Sequence, residues 1–276
     1  MATSPCILTG HAGSLFALHV TSEAAKTAGQ EAVLYLPPFA EEMNRSRRMA
    51  SMLARTLADK GLGVLILDLF GTGDSAGNFE DARWETWCGD AETAFHWLGN
   101  QGYRRISLLG LRLGACLALK TADALRNNDL LSQIVMWQPV TQGESFLNQF
   151  LRIRIAAALS ENGPGKQETV KVLRESLLDG ETLEVAGYLL TPQMAAAIDA
   201  LDIADLALGC AKPLAWLELG SGAEPRPASR KHLDQMSSSG IEVDVRVVRG
   251  EPFWSIEETT LVPALWQETA AVLQGP

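Results

Sequence analysis

The sequence predicts an α/β protein whose mostly parallel sheet is covered by helices on both faces, with a helical segment inserted late in the sheet. Three observations carry this. Apolar strand patterns alternate with amphipathic helical ones over residues 1–140. The alternation breaks over 141–208 and resumes from 209 to 276. At Gly110-Leu111-Arg112-Leu113-Gly114, two glycines frame a sharp turn between an apolar strand and an apolar helix.

In chain order, Leu15 to Val20 and Ala32 to Pro37 read as strands around a polar turn near Gly29. Arg47 to Lys60 carries Met49, Met52, Leu53 and Leu57 on one face and reads as a helix, with Asn44 as N-cap and Gly61 as stop. Gly63 to Leu69 is a buried strand. Ala82 to Leu98 is an amphipathic helix with a stripe of Trp84, Trp87, Cys88, Ala91, Phe95 and Leu98. Ile106 to Leu109 leads into the glycine-framed turn, and Leu113 to Leu125 is apolar almost all round, as in a helix deep in a domain. Gln133 to Trp137 is a strand ended by Pro139. The 141–208 stretch shows helical patterns and no strong strand, and reads as a cap inserted between strands six and seven of a core formed by 1–140 and 209–276. Pro213 to Leu219 is a further strand. Ile241 to Val248 alternates apolar with charged residues, as an edge strand does. A last helix is expected from the capping-box pattern Ser255-Ile256-Glu257-Glu258.

Composition narrows the function classes. A chain of 276 residues with 47% hydrophobic and 20% charged residues is globular. A formal charge of −10 and a pI near 4.9 argue against nucleic acid as partner. No run approaches the ~18 apolar residues of a membrane span. The start Met1-Ala2-Thr3-Ser4-Pro5 lacks the basic-then-apolar pattern of an export signal. Cys6, Cys88, Cys116 and Cys210 show no paired spacing, so no metal site, cofactor or disulfide framework is expected. A cytoplasmic protein is the simplest reading.

The run Leu67-Asp68-Leu69-Phe70-Gly71-Thr72-Gly73-Asp74-Ser75 after one strand, and Gly110-Leu111-Arg112-Leu113-Gly114 between the next strand and its helix, resemble the α/β-hydrolase superfamily over essentially the whole chain. In that superfamily 110–114 is the nucleophile elbow, Gly-x-Ser-x-Gly. More narrowly, Leu36-Pro37-Pro38-Phe39-Ala40-Glu41-Glu42-Met43-Asn44, Gly110 to Ala115 and Pro252-Phe253-Trp254 resemble the exosortase A system-associated hydrolase 2 family. That resemblance implies a bacterial protein of an exopolysaccharide-associated pathway and supplies no substrate.

A serine hydrolase needs a nucleophile, a histidine base and an acid that orients it. Here the nucleophile position holds Arg112, whose guanidinium stays protonated and cannot attack a carbonyl. The resemblance places the histidine after the last strand, where Arg249-Gly250-Glu251-Pro252-Phe253-Trp254 has none, and the acid after strand seven, at Glu224. Losing a nucleophile costs roughly 10⁶ in turnover in a well-studied protease. Gly73-Asp74-Ser75-Ala76-Gly77 matches Gly-x-Ser-x-Gly, but no helix follows at once, so Ser75 reads as a loop former. His19 and His96 read as structural or solvated, His11 as free to approach the site, and Cys116 as a buried, inert thiol.

An arginine at the elbow adds a cation at a helix N-terminus, so something negative is expected against it. Two answers stand open. One is an internal carboxylate among Glu41, Glu42, Glu224 and Glu251. The other is an anionic or acyl-bearing small molecule held by Arg112, with the Leu113 amide, Phe39, Ala40, Glu41, Glu251 and Trp254 around it. Arg45, Arg47 and Arg48 either add positive field or form a solvated helical turn. Phe146, Phe150, Leu151, Ile153, Ile155, Tyr188, Leu189, Leu190 and Met194 either wall a pocket or pack the cap. Arg152 and Arg154 beside apolar neighbours leave room for a membrane-surface contact. The functional expectation is a degenerate hydrolase-fold protein that binds such a ligand or a protein partner. The alternative is an active ester, thioester or peptide hydrolase in which Glu251 or Asp74 activates water.

Overall fold

Strand β1 (Ala2–Thr9) pairs antiparallel with β2 (Ser14–Thr21) and opens an eight-stranded sheet in a computed structural model that describes residues 1–22, 30–160, 168–256 and 258–275. Then come β3 (Glu31–Leu36), α1 (Glu41–Asp59), β4 (Gly63–Leu67), α2 (Trp84–Asn100), β5 (Arg105–Leu111), α3 (Leu113–Ala124) and β6 (Leu131–Trp137). After a long excursion the sheet resumes with β9 (Leu214–Leu219), α8 (Pro227–Ser238), β10 (Val243–Val248) and α9 (Pro263–Gln274). The strand order is β1-β2-β4-β3-β5-β6-β9-β10. From β4 to β10 every pairing is parallel.

The period-two geometry of the strands explains the two-faced core. In β3, Ala32, Leu34 and Leu36 point into one apolar cluster, with Trp87, Ala91, Phe95 and Leu98 of α2 and most of α3. Val33 and Tyr35 point into the other, with Met49, Leu53 and Leu57 of α1 and Leu265 and Leu273 of α9. Central strands buried on both faces read as continuous apolar runs, which is why β5 was legible.

The excursion between Trp137 and Leu214 holds α4 (Gly143–Ser160), α5 (Val170–Leu178), α6 (Pro192–Asp199) and α7 (Ile203–Leu208). It also holds a hairpin that the sequence pattern does not predict, β7 (Leu183–Val185) with β8 (Tyr188–Leu190). Its turn places Ala186 at φ 52° and Gly187 at φ 83°, a primed hairpin turn without the usual Asn-Gly signal. Phe146, Leu147, Leu151, Ile198 and Ile203 join the main cluster on the α2–α3 face. Among the described residues, no helix is long and apolar enough to cross a membrane.

Other boundaries differ from expectation for local reasons. Helix α1 starts at Glu41, not Arg47, because the chain reverses at Ala40 (φ 51°, ψ −128°). Glu41 and Glu42 then occupy its first turn, where carboxylates oppose the helix dipole. Asn44 is no cap; its amide donates to Glu41 Oε2 and to the Tyr188 hydroxyl. Helix α9 starts at Pro263, not Ser255, since Ser255 is tied back to the Pro252 carbonyl through both its amide and its hydroxyl. Glu257 of the expected capping box and the turn at Gly29 lie outside the described residues. The sequence pattern predicts neither strand β1 nor helix α8. Pro5 is tolerated in β1 because that strand is the sheet edge.

One buried carboxylate sets a pH dependence. Asp90 on α2 is 1% exposed; its Oδ2 accepts the Phe70 amide at 2.8 Å, while Oδ1 has no hydrogen-bond partner among the described residues. Burial pushes the carboxyl up to about 6, opposed by the Phe70 N–H and by His11. The folded protein thus keeps this proton at pH values where the unfolded chain has lost it, and stability falls as pH rises through the interval from about 4 to about 6. Asp90→Asn retains the acceptor for Phe70 and cannot ionise. It is expected to gain roughly 1–3 kcal/mol over the wild type at neutral pH and to lose that advantage near pH 4, read from urea midpoints.

Candidate functional site at the elbow

Strand β5 ends at Leu111 and α3 begins at Leu113, so Arg112 alone makes the turn, at φ 56° and ψ −117°. Its amide donates to the Trp137 carbonyl at 2.9 Å, and its carbonyl accepts from the Val140 amide at 3.3 Å. The flanking glycines are required by space. A Cβ on Gly110 would overlap the Gly114 carbonyl, and one on Gly114 would overlap the Leu36 carbonyl oxygen.

The Arg112 side chain is 16% exposed and held on four sides. Its Nε donates to Glu42 Oε1 at 3.2 Å and Nη1 to the Gln138 carbonyl at 3.4 Å. Its Cζ lies 5.5 Å from the Trp254 ring centroid and 5.8 Å from that of Phe146, within cation–π reach of both. Burial raises the Glu42 pKa, and the charge and hydrogen bond of Arg112 pull it back down. Glu42 Oε2 is buried with no hydrogen-bond partner among the described residues. Of the four carboxylates considered from the sequence, Glu42 is thus the one against the guanidinium.

The other three serve elsewhere. Glu41 accepts from Asn44 and from Tyr188. Glu224 is exposed and pairs with Arg230 at 2.6 Å. Glu251 is exposed on the loop after β10. The nearby cations are also taken: Arg47 pairs with Asp68 at 3.1 Å and Arg45 donates to the Ser255 carbonyl. Arg154, weighed for a membrane surface, is held by both oxygens of Glu168.

Beside Arg112 opens a cavity of about 410 Å³. Gln138, Thr141, Gln142, Ser145 and Gln149 give it polar groups, and Phe146 and Trp254 give it aromatic walls. Arg226 and Ser229, at the start of α8, also line it. Those two residues and Gln138 were missed in the sequence; Pro227 directly after Arg226 was the readable signal, since proline favours the first helical turn.

The flank carrying Leu113 and Gly114 is closed instead. Phe39 fills it, its ring 5.1 Å from Phe150, 5.2 Å from Phe79 and 5.9 Å from both Trp87 and Phe146. Phe39, Ala40 and Leu113, expected around a ligand, are therefore packed in the core and do not line the open cavity. Neither do Glu41 and Glu251. From the inserted stretch only Phe146 of the apolar candidates lines it; Phe150, Leu151, Leu190 and Met194 are core, and Ile153 and Leu189 are exposed.

The remaining nucleophile and base candidates are engaged or remote. The Ser75 hydroxyl donates to the Asp68 carbonyl at 2.6 Å and accepts the Phe16 amide at 2.8 Å, bridging two segments of the sheet end. The Cys116 thiol is buried, donates to the Val140 carbonyl, and burial pushes its pKa up to about 12. His19 shares a hydrogen bond with the Tyr103 hydroxyl, His11 and His96 are exposed, and His232 lies buried on α8 with Nδ1 3.7 Å from Asp202. None of them lines the cavity.

Two outcomes follow from these contacts. Arg112→Gln strands a mostly buried carboxylate and is expected to cost roughly 1–3 kcal/mol in urea unfolding at neutral pH. Adding Glu42→Gln is expected to restore more than half of that loss. Ser75→Ala removes two hydrogen bonds and is expected to cost about 1–2 kcal/mol without altering ligand binding measured by calorimetry.

No family model matches the chain, and no curated protein matches it in sequence. Solved structures do match in shape. Est1E from Butyrivibrio proteoclasticus, bound to ferulic acid, aligns over 98% of this chain and 96% of its own at 13% identity, with a TM-score of 0.65. A thioesterase domain from the curacin biosynthetic pathway aligns over 100% of both chains at 14% identity, with a TM-score of 0.61. An esterase from Pyrococcus furiosus covers 99% of this chain and 89% of its own at 12% identity, with a TM-score of 0.64. These identities establish architecture and nothing finer. With its strand order and its elbow, this chain has the α/β-hydrolase fold.

Proposed function

We propose that the chain is a catalytically degenerate member of this fold that binds a small anionic or acyl-bearing ligand at the former active site. One observation carries the reading. The elbow, where a hydroxyl would attack, presents the Arg112 guanidinium at the wall of the 410 Å³ cavity. Guanidinium and aromatic walls suit a carboxylate with an apolar body. The Leu113 flank, where an acyl carbonyl would meet backbone amides, is filled by Phe39. Est1E is seen with a carboxylic acid, ferulic acid, bound on the same architecture.

In this reading residues 141–208 act as a cap on the core of 1–140 and 209–276, contributing Ser145, Phe146 and Gln149 to the cavity. The protein works in the cytoplasm, consistent with four free thiols. The resemblance of its three short motifs supports a place in an exopolysaccharide-associated pathway. Water activation by Glu251 or Asp74 finds no support in the geometry, because neither lines the cavity.

The test is paired. With short-chain p-nitrophenyl esters and acyl thioesters, turnover is expected to match that of Arg112→Ala. Calorimetry with short-chain carboxylates is expected to show binding that Arg112→Gln weakens about tenfold or more, at unchanged secondary structure. Saturable hydrolysis abolished by one substitution would overturn the proposal, and so would the absence of any carboxylate binding.

A further inference from the structure

The chain carries 33 Asp and Glu against 23 Lys and Arg, yet among the described residues no carboxylate lines the cavity, while two arginines do. Their counter-ions stand behind them. Glu42 meets Arg112 through Nε at 3.2 Å, and Glu218 approaches Arg226 through Nε at 3.5 Å. Glu218 is itself 1% exposed and held by the Trp216 indole and the Arg226 amide. Arg226 Nη2 donates to the Leu219 carbonyl. This leaves Arg112 Nη2 and Arg226 Nη1 without a hydrogen-bond acceptor among the described residues.

Each arginine also has a neutral companion with an unused donor. Gln138 is 7% exposed; its Oε1 accepts the Leu219 amide, which fixes the amide orientation and leaves Nε2 without a protein acceptor among the described residues. Ser229 is 6% exposed and its hydroxyl makes no hydrogen bond to the described residues, although serines in helices commonly bond back to a carbonyl. Both residues line the cavity, Gln138 beside Arg112 and Ser229 in the first turn of α8 behind Arg226. Backbone amides of that first turn add positive potential. With no carboxylate in the lining, two such donor pairs on one cavity mark two places for anionic oxygen. The same lining carries Pro139, Val140, Pro252 and Trp254, apolar surface for a short chain.

We infer that the ligand is a linear dicarboxylate, one carboxylate taken by Arg112 and Gln138, the other by Arg226 and Ser229, with a short apolar chain between. This deepens the anion-binding reading above and rests on it. A monoacid satisfies one pair and leaves the other to water, Arg226 being 55% exposed. A diacid satisfies both, and its chain length must match the span.

Calorimetry with the series from succinate to pimelate, each beside its monomethyl ester, tests this. One chain length is expected to bind about tenfold or more tightly than its half-ester. Arg226→Gln is expected to erase that advantage while leaving the half-ester within about twofold of its wild-type affinity. Because Arg226 also caps α8, Ala228→Asp serves as a second variant: it places a carboxylate in the first turn, where a helix accepts it, and is expected to repel the diacid selectively. Equal binding of diacid and half-ester at every length, or a preference that survives both variants, overturns the second anion site and leaves the Arg112 site standing. Tighter binding of inorganic phosphate than of any diacid also overturns it. If neither diacids nor half-esters bind, the anion-binding reading itself falls.

Discussion

Arg112 and Glu42 hold the centre of this molecule together. Each sits in the first turn or cap of a helix that follows a central strand, and each helix starts from a residue forced into positive φ, Arg112 at 56° and Ala40 at 51°. Such conformations cost of order 1–3 kcal/mol for a residue with a Cβ, so the surroundings must over-determine them. Here the backbone at Arg112 is pinned by Trp137 and Val140, while the ion pair ties the start of α3 to the start of α1. Removing one charge leaves the other mostly buried without its partner, so the pair adds to what the backbone bonds at Trp137 and Val140 already hold.

The pair also sets which group the elbow presents. A hydroxyl at this point would need a base; a guanidinium needs an acceptor and supplies charge instead. Glu42 uses only one edge of the guanidinium, and Phe146 and Trp254 hold its faces, so the outer edge remains for whatever occupies the cavity. Closure of the Leu113 flank by Phe39 has a complementary effect. It removes the space beside the backbone amides and leaves open the sector bounded by the loops after β6, β9 and β10. An acidic chain, at −10 overall, thereby lines one hollow with two cations and no acids, their partners Glu42 and Glu218 standing behind them.

The sheet was legible wherever burial makes strands continuously apolar, as in Leu65, Leu108 and Val135. Legibility failed at the edges and in turns. β1 is largely exposed, so it carries no apolar run. The β7–β8 hairpin turns on Ala186-Gly187, a weak signal. α1 begins where tertiary packing forces Ala40 to reverse the chain, with no capping side chain to advertise it. At the site, the arginine elbow and the missing histidine were visible directly. Gln138, Arg226 and Ser229 were not, because nothing local distinguishes a polar residue that faces a cavity from one that faces water.

By itself the sequence determined the layer architecture, the position of the elbow and the arginine at its apex, since period, glycine spacing and residue identity are local properties. It determined too that a cation at the elbow requires a negative partner, because that follows from electrostatics alone. Only the tertiary structure decided that the partner is Glu42, seventy positions away in the chain. It alone decided which flank Phe39 fills and which second arginine lines the hollow with Arg112, for these depend on how separate loops meet in space.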